Sequence, residues 1–262
     1  MLPIGDIDVY RRTTPYIILG IIGLNVLIFL YELSLGGSLF FTNSGAVAEF
    51  FYQLGVVPHE LTSGEEIYGS RLFQEGKFPH TRIVPIDLTS PIPTWGTAFS
   101  SMFIHGGWLH LIGNMLYLWV FGSNIEDKFG HIKFLLFYLG AGLAAVWTQV
   151  LINPDSQAPM IGASGAVSGV AGAYLVLFPF NRIRTLIIFF FIMAIELPAM
   201  TLLGFWFILQ LFQGVGSLGP GVGVGGVAHW AHVGGFLMGS GLVVFYKFIR
   251  GDPIWPSRQR RH

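Results

Sequence analysis

A serine, two histidines and an asparagine, on three separate apolar segments, are the residues of this sequence best suited to chemistry. Ser164 lies in an uncharged run of Gly, Ala, Ser and Val from 162 to 169. A serine hydroxyl is a weak nucleophile until a base takes its proton, and His232 is the candidate base. His110 and Asn114, four residues apart, share one face of a predicted helix and could both donate hydrogen bonds to an oxygen that becomes negative. This set of residues would support nucleophilic attack on a carbonyl group.

The backbone around the serine adds a further donor to this set. The N–H of Ser164 lies near the N-terminus of a predicted helix, where free N–H groups and the helix dipole favour an anion. With the two side-chain donors, it would complete an oxyanion hole. The apolar segments carry no Asp or Glu at a depth suited to orienting His232. The sequence therefore predicts a Ser–His dyad rather than a triad.

The amino-acid composition predicts that these residues lie within a membrane. Of the 262 residues, 53% are hydrophobic and 11% are charged, whereas a soluble domain carries about 25% charged residues. A spanning helix needs about 20 apolar residues, and long runs without Asp, Glu, Lys or Arg cover 13–31, 88–125, 134–154, 156–181 and 197–246. Zero net charge gives no reason to expect a nucleic acid, and the absence of Cys excludes thiolate metal sites. No H-E-x-x-H motif occurs, and we expect neither a metal nor a cofactor.

The pattern predicts an all-α polytopic membrane protein, folded as a single membrane-embedded domain with six transmembrane helices. The helices are predicted at about 15–33, 107–125, 132–152, 162–178, 184–212 and 227–248, with a long extracytoplasmic loop at 34–94. The first apolar run could instead be a signal peptide, but the absence of a small-residue cleavage site and the presence of later spans favour a retained helix. Glu196 and Pro198 fall within the predicted fifth helix, where the proline predicts a kink.

Charge asymmetry predicts the orientation of this bundle. Six spans place both termini on one side, and the positive-inside rule assigns that side. Eleven of the fourteen Lys and Arg residues lie on the side of the termini. The sequence therefore predicts an integral membrane protein with both termini cytoplasmic. The compact size favours a bacterial inner membrane, and an organelle membrane stays open as the alternative.

This topology predicts a common depth for the chemically interesting residues. Helices 2, 4 and 6 all enter from the outer face, which places Ser164, His110, Asn114 and His232 in the outer third of the bilayer. Glycines spaced by four let membrane helices approach closely. Helix 4 carries such glycines at 165 and 169, and helix 6 carries them at 235 and 239. If these faces meet, the serine and the histidine come within hydrogen-bond range.

Three motifs in this order resemble the rhomboid intramembrane serine proteases. They are Gly162-Ala163-Ser164-Gly165, His105-x4-His110-x3-Asn114 and Ala231-His232-x-Gly234-Gly235-x3-Gly239. The resemblance implies a six-helix core that cleaves transmembrane segments of other membrane proteins near the outer face. It implies Ser164 as nucleophile and His232 as general base. Oxyanion-binding roles are implied for His110, Asn114 and Gly162, and supporting roles for His105, His229, Gly165, Gly235 and Gly239. The fifth helix and the linker at 214–226 would match the family's substrate gate and cap loop.

Several alternatives stay open at this point. A catalytically inactive relative that binds membrane clients would share the fold, although it would normally lack Ser164 or His232. A small transporter would also carry polar groups at depth, but it should show inverted repeats and sites near the midplane, and the sequence shows neither. His229 could line the same cavity as His232 or cap its helix. Glu196 could pair with a polar group on a neighbouring helix or face water. Many rhomboids carry Trp-Arg before the second helix, whereas this chain has Trp95-Gly96.

Overall fold

The structure of the chain is a computed structural model that describes residues 1–8, 11–36, 45–75, 80–188, 192–218 and 227–254. It is mostly helical, with ten α-helices among the described residues. In chain order they are α1 Tyr16–Ser34, α2 Gly45–Leu54, α3 Pro58–Ser63, α4 Thr97–Ser100, α5 Trp108–Tyr117, α6 Ser123–Phe129, α7 His131–Ile152, α8 Ser164–Leu177, α9 Ala199–Gly216 and α10 His229–Arg250. Five strands are also present: β1 Leu2–Asp6, β2 Tyr68–Glu75, β3 His80–Asp87, β4 Arg182–Ile188 and β5 Ile192–Pro198.

Four of the described helices, α1, α7, α9 and α10, are long and apolar enough to cross a membrane. The other two predicted spans differ in form. The predicted second span is α5 and α6 joined by a π-helical stretch, Leu118–Gly122. The predicted fourth span is α8, which has 14 residues. The chain is thus an integral membrane protein, and six spans remain a prediction.

Helix α8 lies at the centre of the bundle, with residues 165–174 buried. Small residues on its surface bring α7 and α10 close to it. A Cβ added at Gly165 would lie 2.6 Å from the Cβ of Ala145 on α7, and a Cβ at Gly239 on α10 would overlap the carbonyl of Gly169. The backbones of α8 and α10 therefore touch directly, which is how small residues stabilise helix pairs in membranes.

The predicted fifth helix is wrong in its first half. Residues 182–188 and 192–198 form the antiparallel strands β4 and β5, and α9 begins only at Ala199, directly after Pro198. β4 also pairs with β1, where Leu2 lies opposite Leu186 and Asp6 opposite Ile183. The segment is rich in Ile and Phe, which favour strands, and proline cannot supply a helical N–H. The prediction of an all-α fold is therefore confirmed only in part: the described residues are mostly helical, but they also form a three-stranded and a two-stranded sheet.

The position predicted for Glu196 is corrected together with that helix. Glu196 lies on β5, where its carboxylate accepts a hydrogen bond from Arg182 at 3.1 Å and lies 3.8 Å from Arg184. The glutamate is therefore part of an ion cluster on the sheet. Residues 189–191, which were predicted to continue the fifth helix, lie outside the described residues.

The connection predicted as a long loop at 34–94 contains regular structure. It holds α2, α3 and the β2–β3 hairpin, in which Tyr68 lies opposite Asp87. Val56 and Met160 exchange two backbone hydrogen bonds, of 3.0 and 2.7 Å, which attach this connection to the segment that precedes α8. Of the predicted glycine linker at 214–226, the first residues belong to α9 and residues 219–226 lie outside the described part of the chain.

Buried polar groups join β1 and α1 to the bundle at the end opposite Ser164. Asp6 accepts hydrogen bonds from Asn124 at 2.9 Å and from the hydroxyl of Tyr174. Burial raises the pKa of Asp6 above its ordinary value. The carboxylate of Glu126 on α6 accepts the N–H groups of Ile17 and Ile18, both at 3.0 Å, and so caps the N-terminus of α1.

Candidate active site

Ser164 and His232 form the centre of the candidate site. Ser164 is the first residue of α8, and His232 lies one turn into α10. The Nε2 atom of His232 is 2.7 Å from the Oγ atom of Ser164, a normal hydrogen-bond length. The hydroxyl can therefore donate directly to the imidazole, which is the geometry that proton transfer requires.

Glycines next to both residues set this distance. Gly165 follows Ser164, and Gly235 lies three residues after His232 on the same face of α10. A Cβ added at Gly235 would overlap the carbonyl of Gly165. A larger residue at Gly235 would push α8 and α10 apart and lengthen the Ser164–His232 contact.

The backbone that leads into Ser164 is held on two sides. The N–H of Gly162 donates to the carbonyl of Ser101 at 2.8 Å. The N–H of Ala163 faces Nε2 of His105 at 3.5 Å, and His105 is fully buried. The backbone N–H of His105 in turn donates to Glu32 on α1 at 3.1 Å. Glu32 thus helps to hold His105 next to the backbone that leads into Ser164, and the sequence analysis did not identify this residue.

Gly162 leaves a space between His110 and the serine. Its φ of +121° lies in the region that side chains rarely adopt. A Cβ there would lie 2.6 Å from Nε2 of His110 and 3.6 Å from Oγ of Ser164. The Ser164 hydroxyl and the His110 imidazole thus border one gap that a side chain at position 162 would fill.

His110 and Asn114 offer donors toward the gap. The N–H of Gly106 donates to Nδ1 of His110 at 3.4 Å, which leaves the ring proton on Nε2, the atom next to Gly162. Asn114 uses one of its two amide hydrogens on the carbonyl of His110, at 3.0 Å, and keeps the second. Both side chains line the cavity of about 1390 Å³ that also contains Ser164 and His232.

Two residues of α9 contact His232 and were missed by the sequence reading. The Oε1 atom of Gln210 lies 2.7 Å from Nδ1 of His232, and the Trp206 ring lies 5.8 Å from the His232 ring. Gln210 also contacts Nδ1 of His229, at 3.0 Å. His229 is the first residue of α10 and lines the cavity as well. The sequence analysis predicted an orienting group from acidic residues alone, whereas the polar residues Gln210 and Gln213 inside the apolar run were a usable signal.

Side chains that could bind a metal ion do not cluster in the part of the chain that the structure describes. Among the described residues, no group of three or more His, Cys, Asp and Glu side chains is placed to hold a metal ion. The chemistry that the observed arrangement can perform is carried by the hydroxyl, the imidazole and neutral hydrogen-bond donors.

The family model described as Rhomboid domain matches residues 93–248 of this chain. The chain belongs to the rhomboid family. The matched range contains every predicted site residue from His105 to Gly239, together with Gln210. It leaves out β1 and α1, so the contact of Glu32 with His105 joins the rhomboid core to a segment outside the match.

Named rhomboid relatives match over part of their lengths. The mitochondrial Rhomboid protein 1 of Saccharomyces cerevisiae is 31% identical over 178 residues, which cover 66% of this chain and 46% of the yeast protein. RHOMBOID-like protein 6, mitochondrial, of Arabidopsis thaliana is 34% identical over 140 residues, covering 53% of this chain and 40% of that protein. The Rhomboid protease GluP of Bacillus subtilis is 36% identical over 88 residues, covering 34% and 17%. The matches thus span less than half of each relative.

Proposed function

We propose that this rhomboid-family chain is an intramembrane serine endopeptidase that cleaves transmembrane segments of other membrane proteins. The observation that carries the proposal is the 2.7 Å contact between Oγ of Ser164 and Nε2 of His232. The family and the name of the Bacillus subtilis relative, a protease, support the same reading. The reaction class is acyl transfer from a peptide bond to serine and then to water.

In the first half of the reaction, Ser164 attacks the scissile carbonyl while its proton passes to Nε2 of His232. The C=O oxygen becomes an oxyanion in the gap beside Gly162, within reach of the Nε2–H of His110 and the second amide hydrogen of Asn114. The helix N-terminus at Ser164 adds a backbone N–H and a favourable dipole. Removing one such donor costs about 10²–10³ in rate in known hydrolases.

In the second half, the protonated His232 gives its proton to the leaving amine as the C–N bond breaks. The acyl group then remains on Oγ of Ser164 as an ester. A water molecule attacks this ester while His232 accepts the water's proton. As the tetrahedral intermediate collapses, His232 returns that proton to Oγ of Ser164, and the carboxylic acid is released. The cavity of about 1390 Å³ offers room for that water.

The conformation of the substrate should affect its cleavage, because the peptide groups of an α-helix are engaged in internal hydrogen bonds. A scissile peptide must leave its helix before its carbonyl can reach Ser164. Substrates with Gly or Pro near the cleavage site should therefore be cut faster than stiff poly-Leu segments, because these residues weaken a helix.

The orientation in the membrane is part of this proposal. Cytoplasmic termini, inferred from the distribution of Lys and Arg, place Ser164 toward the opposite face. Relatives named mitochondrial and a relative from a bacterium both match, so the comparison does not favour the bacterial inner membrane that the sequence analysis predicted.

Labelling with a fluorophosphonate tests the proposal, because this reagent reacts with activated serines. We expect the wild-type protein in micelles to be labelled and to cleave a reconstituted transmembrane substrate, and Ser164→Ala to lose both activities while keeping its thermal unfolding. A Ser168→Ala variant is the control, since Ser168 is a second serine of α8 that lines the same cavity, but its hydroxyl donates to the carbonyl of Ser164 at 2.6 Å. Labelling retained in Ser164→Ala would refute the nucleophile assignment. An unlabelled, inactive wild type that still binds membrane proteins would favour the client-binding alternative.

A further inference from the structure

One face of α9 contacts α10 at three successive turns. Trp206, Gln210 and Gly214 are spaced by four residues and so share that face. The Trp206 ring lies 5.8 Å from the ring of His232, and the carbonyl of Gly214 accepts the indole N–H of Trp230 at 3.0 Å. Gln210 lies between these two contacts and is 7% exposed. Its amide is therefore fixed by packing on both sides.

The oxygen of this amide is shared by two histidines of α10. It lies 2.7 Å from Nδ1 of His232 and 3.0 Å from Nδ1 of His229. An amide oxygen has two lone pairs and no hydrogen, so each nitrogen must donate. The amide nitrogen faces the side-chain oxygen of Gln213 at 3.4 Å, which is consistent with this orientation.

This contact decides which nitrogen of His232 carries the proton. With the hydrogen on Nδ1, the neutral ring presents a lone pair at Nε2, the atom that faces Ser164. The opposite tautomer would present an N–H to the serine and could not accept its proton. A dyad without a fixed tautomer would spend part of its time in this inactive form.

We propose that Gln210 is the positioning residue of this site, which holds His232 in the Nδ1–H tautomer and fixes its ring toward Ser164. The inference rests on the proposed function for its effect on catalysis, whereas the tautomer is a property of the folded protein alone. The site then has three members, serine, histidine and a neutral amide, and the third comes from a different helix. It also follows that the hydrogen bond which favours this tautomer is made only while α9 lies against α10.

The test compares Gln210→Leu, which keeps the size and removes the acceptor, with Gln210→Glu, which keeps an acceptor oxygen. Leu209→Ala is the matched control, since Leu209 is the neighbouring residue of α9 and is 39% exposed. We expect Gln210→Leu to lower kcat by about 10- to 100-fold with KM little changed, because one buried hydrogen bond to the base is lost. Gln210→Glu should recover most of the rate, and Leu209→Ala should match the wild type.

A second measurement reads the tautomer directly. In ¹⁵N-histidine-labelled protein in micelles, His232 should show a protonated Nδ1 and an unprotonated Nε2, and Gln210→Leu should show a mixture of tautomers. A wild-type kcat in Gln210→Leu would overturn the inference, as would an unchanged Nδ1–H signal in that variant or a Gln210→Glu variant as slow as Gln210→Leu. If the wild type itself neither cleaves nor reacts with the fluorophosphonate, the proposed function fails, and the tautomer spectra still decide the role of Gln210.

Discussion

Replacing Gly162 by alanine tests the geometry of the proposed oxyanion site most directly. The backbone at Gly162 has a φ of +121°, and an added Cβ would lie 2.6 Å from both Cε1 and Nε2 of His110. A contact this short cannot persist, so the imidazole or the backbone must move. Either movement takes the Nε2–H of His110 away from the gap in front of Ser164.

The expected magnitude has two parts. Holding a non-glycine residue at such a φ costs about 1–3 kcal/mol of folding stability. Losing one oxyanion donor lowers kcat by about 10²–10³, equivalent to about 2.7–4 kcal/mol of transition-state stabilisation. Because the first part affects the folded state and the second the transition state, stability and rate have to be measured on the same sample.

Gly130 provides the matched control for this experiment. Its φ is +79°, but a Cβ there would have no atom within 4 Å, and it lies between α6 and α7, away from the site. Gly130→Ala should therefore lose stability without losing activity. The assay is thermal unfolding together with kcat on a reconstituted transmembrane substrate. A Gly162→Ala variant with a wild-type kcat, or equal rate losses in both variants, would refute the reasoning.

Two further predictions concern the opposite end of the bundle. Burial raises the pKa of Asp6, so its contribution to stability should be fully present below its ordinary pKa of 3.8 and should be lost as pH rises through the raised value. The Asp6→Asn variant should lack this part of the dependence of stability on pH. Equal pH profiles of thermal unfolding in the variant and the wild type would contradict a raised pKa of Asp6. Glu126→Ala leaves the N–H groups of Ile17 and Ile18 without their acceptor, and we expect a loss of about 1–3 kcal/mol in unfolding free energy. Glu126→Gln, which keeps one oxygen, should lose less, and unfolding of Glu126→Ala at the wild-type temperature would contradict the capping role.

Much of the helical framework could be predicted from the sequence because charge is costly inside a membrane. Four of the helices predicted from these runs, at 15–33, 132–152, 162–178 and 227–248, match α1, α7, α8 and α10 within a few residues at each end. The glycine spacing likewise pointed to contact between α8 and α10, since a glycine permits backbone contact whatever the rest of the fold. The proposed meeting of Ser164 and His232 followed from these two local properties.

The segment from 184 to 198 could not be assigned in the same way. Its residues are almost all apolar, so the period of its hydrophobic pattern does not distinguish a strand from a helix. Its conformation depends on β1, more than 170 residues earlier in the chain, which supplies the hydrogen-bond partners of β4. The composition and spacing of residues 184–198 do not indicate that β1 is the pairing partner of β4.

The sequence by itself determined that this chain is a membrane protein and which residue types could react, because both depend on local composition and spacing. Only the tertiary structure decided that β1 pairs with β4, that Glu32 supports His105, and that Gln210 faces His232. Each of these contacts joins elements far apart in the chain. The proton position on His232 in turn depends on the side chain that packing places against its ring.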